Sequence, residues 1–157
     1  MEEFQEDNEI YCLLVEHFQE FYHLSPLSSK IVSLMIFESN KDGYTFENLV
    51  EKLKTSKSSM STNLNYLLKT NRIKYCTKPQ DRKKYFHVTS LAETLNKIIR
   101  MIQSERMIMN RVQKYREHID DKQCEVSAET VKIYMEHLET AEHNLTNTRD
   151  LIEKLNN

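Results

Sequence analysis

The side chains whose types and spacing lend themselves to chemistry are hydrogen-bonding and cationic ones. Lys57, Ser58, Ser61, Thr62, Asn65 and Lys69 recur at helical spacing, opposite the apolar positions Met60, Leu64, Leu67 and Leu68. Ser59 adds another hydroxyl beside them. Small hydroxyls, amides and ammonium groups at this density suit phosphate oxygens and base edges. A few residues on, Lys78, Arg82, Lys83 and Lys84 surround the turn-forming residues Pro79, Gln80 and Asp81. Residues 51–89 carry 10 basic and 2 acidic side chains, a local charge of +8 inside a chain whose net charge is −2. Residues 1–23 carry 7 acidic side chains and no basic ones. An island of this kind implies a surface for a polyanion.

Other chemistries find little support. With 1 Gly in 157 residues, a glycine-rich nucleotide cradle cannot be built. No Ser/His/Asp order and no paired carboxylates stand in a recognisable frame, so no enzyme is expected. His17, His23, His87, His118, His137 and His143 never fall at i,i+4, and HExxH is missing. Cys12, Cys76 and Cys124 are odd in number and widely spaced without a CxxC, so neither a disulfide framework nor a zinc cage is indicated. No metal and no cofactor are expected. The acidic surroundings of Cys12 argue against a reactive thiolate there. No run reaches 18 apolar residues, and MEEFQEDNEI has neither a basic start nor an apolar core. No membrane partner and a cytoplasmic location are the expectations.

The elements that must position the polar face follow from periodicity. Residues 3–23 place Tyr11, Leu14, Phe18 and Phe21 three or four apart, which predicts an amphipathic helix. Ser25-Pro26 predicts the cap and first residue of a second helix reaching about Ser39, and Asn40 to Gly43 predict a turn. Thr45 caps a short helix over 46–54, and Ser56 caps the polar-faced helix over 57–70, with Asn71 in the left-handed position after it. The period then falls to 2, predicting strands over 72–77 and 84–89 joined by a charged turn over 78–83, with Arg82, Lys83 and Lys84 at the tip. Beyond Ser90 lies a long helix ending near Asp120-Asp121, with a seam of Leu91, Leu95, Ile98, Ile102, Met109 and Val112 interrupted by Glu105. A last helix, capped by Ser127, carries the seam Val131, Tyr134, Leu138, Ala141, Leu145, Thr148, Ile152 and Leu155. These heptad-like stripes need a partner. Met101, Met107 and Met109 read as core filling between helices, with an adaptable ligand pocket as the other reading.

Short helix, turn, polar-faced helix and basic hairpin form the winged helix-turn-helix order. The fold expected is therefore mainly α with a small β-hairpin, a winged helix-turn-helix flanked by long N- and C-terminal dimerisation helices. Its second helix enters the major groove, so Ser58, Ser59, Ser61, Thr62 and Asn65 become base-edge and phosphate contacts. Lys57, Lys69, Arg82 and Lys83 become phosphate contacts, and Lys84 stands with them in the hairpin. In an arbitrary helix such a polar face is merely solvated; its place between a capped helix and a basic hairpin gives it the contact role. Lysines on a hairpin also blunt strand edges, which accounts for one or two of them.

The run Ser56 to Leu64, then Leu67-Leu68, Arg72-Ile73, Asp81 to Phe86 and Val88-Thr89, resembles the MarR superfamily of bacterial repressors, and within it the GbsR-type branch. The resemblance covers residues 25–90 in sequence and the outer helices by architecture. It implies a homodimeric repressor on a pseudo-palindromic operator in double-stranded DNA, with Ser58, Ser59, Ser61, Thr62 and Asn65 as recognition-helix contacts and Arg82 and Lys83 as wing contacts. It also implies a small-molecule effector, although 0 Trp and the core-like aromatic spacing offer no quaternary-ammonium cage. Residues 1–24 are then an N-terminal dimerisation helix, 25–90 the DNA-binding domain and 91–157 the C-terminal dimerisation helices. The competing class is a helical dimer whose winged helix binds a protein instead of DNA.

Overall fold

The computed structural model describes residues 8–79, 81–118 and 128–155, without the side chains of 117 and 118. Residues 3–7 of the expected first helix, Gln80, Asp120-Asp121, Cys124 and the Ser127 cap lie outside the described residues. The chain divides into two units, residues 1–89 and residues 90–157.

In the first unit, α1 (Glu9–Glu20) begins at Asn8, whose side chain accepts from the Ile10 and Tyr11 amides. It ends earlier than its apolar stripe: Phe21 is the C-cap and His23 turns left-handed at φ 50°, which leaves Phe21 exposed. Tyr11 and Phe18 hold the buried face. The second helix, α2 (Pro26–Glu38), is capped by Ser25 and buries Ser28, Ser29, Ile31, Val32, Ser33, Leu34 and Met35. Burial at consecutive positions means that α2 is covered around much of its circumference, the signature of a central helix. It packs against α1 and also meets the later helix and hairpin of its unit. After α2, Gly43 takes φ 76° in the turn over 40–43, where the Asn40 side chain accepts from the Asp42 amide.

Thr45 and Asn48 form a reciprocal capping box at α3 (Phe46–Lys52). This helix is two residues shorter than its periodicity suggests, because Leu53 caps it and Lys54 adopts φ 45°. Ser56 caps α4 (Lys57–Lys69), which buries Met60, Leu64 and Leu67, and Asn71 follows at φ 52°. The left-handed Asn after this helix is the outcome expected of a chain with little glycine.

The hairpin departs from the expected boundaries. Strand β1 (Ile73–Lys78) pairs antiparallel with β2 (Asp81–Val88), so the strands reach to Lys78 on one side and begin at Asp81 on the other. Arg82, Lys83 and Lys84 therefore belong to a strand and not to the turn. Thr77 faces Lys84 while Lys78 faces Asp81, leaving Arg82 and Lys83 without counterparts across the ladder. The physical cause is Asp81: one carboxylate oxygen accepts from the Lys83 amide at 2.9 Å and the other from the Tyr85 hydroxyl at 2.7 Å, folding the excess residues locally. Tyr44 adds an isolated antiparallel bridge to Phe86 on the other side of the hairpin. One continuous core, including Tyr11, Ile31, Leu34, Leu49, Met60, Leu64, Leu67, Ile73 and Phe86, joins α1 to α4 and the hairpin.

The second unit consists of α5 (Leu91–His118) and α6 (Ala128–Leu155). Their pairing is antiparallel: Asn96 accepts from Arg149, Gln103 and Arg106 donate to Glu142, and Tyr134 donates to Glu105. Those hydrogen bonds from Gln103 and Arg106 hold the Glu142 carboxyl below its ordinary pKa. The buried residues of α5 are Ala92, Ile99 and Ile102, so its seam starts one position after Leu91, which is 71% exposed. In α6, Val131 and Leu138 are buried, whereas Tyr134, Thr148 and Leu155 are exposed. Glu105, the odd member of the expected seam, is half-buried and accepts the Tyr134 hydroxyl. Met101 and Met107 are exposed, so they do not fill a core between these helices. Among the described residues no helix is long and apolar enough to cross a membrane.

Candidate nucleic-acid interface

The interface is built around α4. Its apolar stripe fixes the opposite face outward, and Lys57, Ser58, Ser59, Ser61, Thr62, Asn65 and Lys69 are all exposed. Ser59 accepts the Ser56 hydroxyl and Thr62 donates back to the Ser58 carbonyl. Among the described residues the Ser58, Ser61 and Asn65 side chains have no such bond. A ligand in contact with these groups displaces water and breaks no internal hydrogen bond.

The hairpin brings its cations to one flank of α4. Ser61, Asn65 and Lys83 line, with Lys84, Phe46, Glu47 and Phe86, a concavity of about 290 Å³. Arg82 and Lys83 are exposed, and Lys84 lies 4.3 Å from the centroid of the Tyr75 ring. That contact reaches across the ladder from β2 to β1. Lys78 is engaged elsewhere: it forms a 2.7 Å ion pair with Asp42 and sits 4.4 Å from the Tyr85 ring centroid. The hydrogen bond from Lys78 holds Asp42 below its ordinary pKa, and Asp42 raises Lys78. Bonds from the Tyr85 hydroxyl and the Lys83 amide similarly lower Asp81. The hairpin is thus tied to the turn before α3 at the loop end of β1.

On the opposite flank of α4, His23, Ser25, Lys30, Lys54, Ser59, Thr62 and Tyr66 line a larger concavity of about 820 Å³. Asn63 is a positioning residue here that periodicity did not single out. Its Oδ1 accepts from Ser25 at 2.7 Å and from Ser28 at 2.8 Å, while its Nδ2 donates to the Ser59 carbonyl at 2.8 Å. These bonds fasten α4 to the start of α2. A signal was visible in the run of small hydroxyl residues at the start of α2, but its partner lies 35 residues away. Glu38 performs a comparable task, accepting from Tyr44 at 2.6 Å and Lys52 at 2.8 Å and so joining the end of α2 to α3 and the bridge to the hairpin.

Cys76, one of the three widely spaced cysteines, is an exposed thiol whose sulfur is 3.4 Å from His87 Nε2, a pairing that the sequence spacing did not show. Among the described residues no three His, Cys, Asp or Glu side chains come together in an arrangement suited to a metal ion.

The short α3, the outward-facing α4 and the basic hairpin make this a winged helix-turn-helix fold. No known protein-family model matches the chain, and no curated protein matches it by sequence. Among solved structures, one described as a transcriptional regulator matches with a TM-score of 0.68 and 16% identity, over 93% of this chain and 97% of that one. A structure of Streptococcus pneumoniae FabT in complex with DNA gives a TM-score of 0.40 at 19% identity, over 95% and 90% of the two chains. A SlyA-like transcription regulator from Listeria monocytogenes gives 0.39 at 16% identity, over 98% and 96%.

Proposed function

We propose that this chain is a DNA-binding transcriptional regulator of the MarR superfamily, not an enzyme, that acts in the cytoplasm as a homodimeric repressor. The observation that carries the reading is the exposed, largely unbonded polar face of α4, which shares a concavity with Lys83 and Lys84 of the hairpin. The fold shared with a solved transcriptional regulator supports it, and the sequence resemblance in residues 25–90 suggests the GbsR-type branch. In this reading α4 enters the major groove. Ser58, Ser59, Ser61, Thr62 and Asn65 meet base edges and nearby phosphates, while Lys57, Lys69, Arg82, Lys83 and Lys84 supply the positive charge. Residues 1–24 and 91–157 join two copies, setting the recognition helices about 34–36 Å apart on the half-sites of a pseudo-palindrome. An effector that favours one spacing of those helices over another shifts the population of the binding-competent state.

The test is a gel shift on mixed duplex DNA at about 50 and 200 mM salt, where several phosphate contacts cost orders of magnitude in affinity. The chain is expected to bind at low salt, and Lys57→Ala with Arg82→Ala to weaken that binding. No binding at low salt, or indifference to the double substitution, overturns the reading in favour of a protein-binding winged helix.

A further inference from the structure

The lysines of the concavity on the α2 side of α4 have no part in the assignment above, which places every cation on α4 itself or on the hairpin. An α-helix with its side chains is about 10–12 Å across, and the major groove is about 12 Å wide. A helix lying in that groove is therefore flanked by both sugar–phosphate strands. Here α4 stands between two hollows, with Ser61 and Asn65 bordering the one beside the hairpin and Ser59 and Thr62 bordering the other. The polar face is thus divided lengthwise into two rims.

The two hollows differ in charge. The hairpin-side hollow holds Lys83 and Lys84 but also the Glu47 carboxylate, whereas the other holds Lys30 and Lys54 and, among the described residues, no acidic side chain lines it. Lys54 is exposed and adopts φ 45°, in a turn held by bonds from its own amide to the Glu51 carbonyl and from the Thr55 amide to the Val50 carbonyl. A lysine in that conformation is costlier than a glycine, and what the costlier residue adds is an ammonium group. Lys30 stands on α2, which Asn63 fastens to α4, so both ammonium groups are carried on backbone fixed relative to the polar face.

We propose that this hollow is a second phosphodiester-binding site, in which Lys30 and Lys54 contact the DNA strand opposite the one met by the hairpin. The inference rests on the placement of α4 in the major groove and adds the strand that its far flank grips.

The test compares the full chain with Lys30→Gln/Lys54→Gln, with Lys54→Gln alone and with Lys30→Arg/Lys54→Arg, each checked for native circular dichroism. Duplex binding is titrated by fluorescence anisotropy across salt concentrations. The slope of log K against log salt is expected to fall by about 0.9 for each lysine neutralised and to persist in the arginine variant. Ethylating single phosphates then locates the contacts: Lys54→Gln should remove interference on one strand and Lys83→Gln on the other. An unchanged slope in the glutamine variants, with Arg82→Gln/Lys83→Gln still weakening binding, overturns the inference and leaves the DNA reading standing. No duplex binding by the unsubstituted chain overturns both.

Discussion

The two units reach their stability by different routes. In residues 1–89 apolar side chains from four helices and a hairpin close on one another, and Ile31, Leu34, Leu49, Met60 and Leu67 are fully buried. In residues 90–157 two 28-residue helices bury Ala92, Ile99, Ile102, Val131 and Leu138 but expose Leu91, Met101, Met107, Ile108, Ile133, Leu151 and Leu155. Polar clasps such as Arg106 with Glu142 and Arg149 with Asn96 take up some of the pairing that apolar packing leaves undone. The difference teaches that a unit can have regular helices and still lack enough surface of its own to cover them. A second copy of the chain is the partner we propose for that surface.

The sharpest break of this contrast uses matched truncations. Leu67→Ala should cost about 2–5 kcal/mol in urea unfolding at any protein concentration, since the cavity lies inside one unit. Ile108→Ala should cost a comparable amount only where the dimer forms, and below about 0.5 kcal/mol at dilution, as an exposed site does. A concentration-independent loss at Ile108 would remove the contrast.

A smaller effect probes how the first unit holds its hairpin. A Cβ at Gly43 would lie 2.5 Å from His87 Nε2 and 2.9 Å from the Phe86 carbonyl oxygen, at a φ of 76°. Gly43→Ala should therefore cost about 1–3 kcal/mol in the same assay, with the His87 ring displaced in its NMR spectrum. An unperturbed His87 signal would contradict this account.

The smallest effect is a pH dependence confined to the same corner. Burial, then the charges of Lys74 and Lys78, push His87 below the usual 6.5, with Asp42 opposing them, and the ring also meets the Cys76 sulfur. Because the folded state disfavours the protonated ring, His87 contributes fully above about pH 6.5, and the contribution fades as pH falls through the depressed value. Urea midpoints should decline more steeply from pH 7 to 5 for the native chain than for His87→Gln. Parallel curves would exclude the coupling.

The first unit was the more legible in sequence, for reasons visible in individual residues. Ser25, Thr45 and Ser56 cap helices through contacts three residues away, and Asn71 closes one within a turn, so local chemistry suffices. The polar face of α4 was legible because Met60, Leu64 and Leu67 fix its opposite side. The hairpin loop was misplaced because Asp81 reads as a turn residue, while its bonds to Lys83 and Tyr85 hold it in a strand. The clasp of Asn63 on α2, the capture of Lys78 by Asp42 and the hollow joining Lys30 to Lys54 depend on tertiary packing. In the second unit Ile102, Val131 and Leu138 are buried as their spacing suggests, while at the start of α5 burial falls on Ala92 and Ile99 more than on Leu91 and Ile98, since periodicity gives the spacing of a stripe but not its angular origin.

The four residues that turn left-handed after α1 to α4 have a practical consequence. His23, Ser39, Lys54 and Asn71 each occupy a conformation that glycine adopts without steric penalty. Ser39 lines neither hollow beside α4, so glycine there offers an engineer a route to a more heat-tolerant protein, whereas His23 lines the hollow that holds Lys30 and Lys54. Lys54 is the position where the same exchange would trade a cation for robustness.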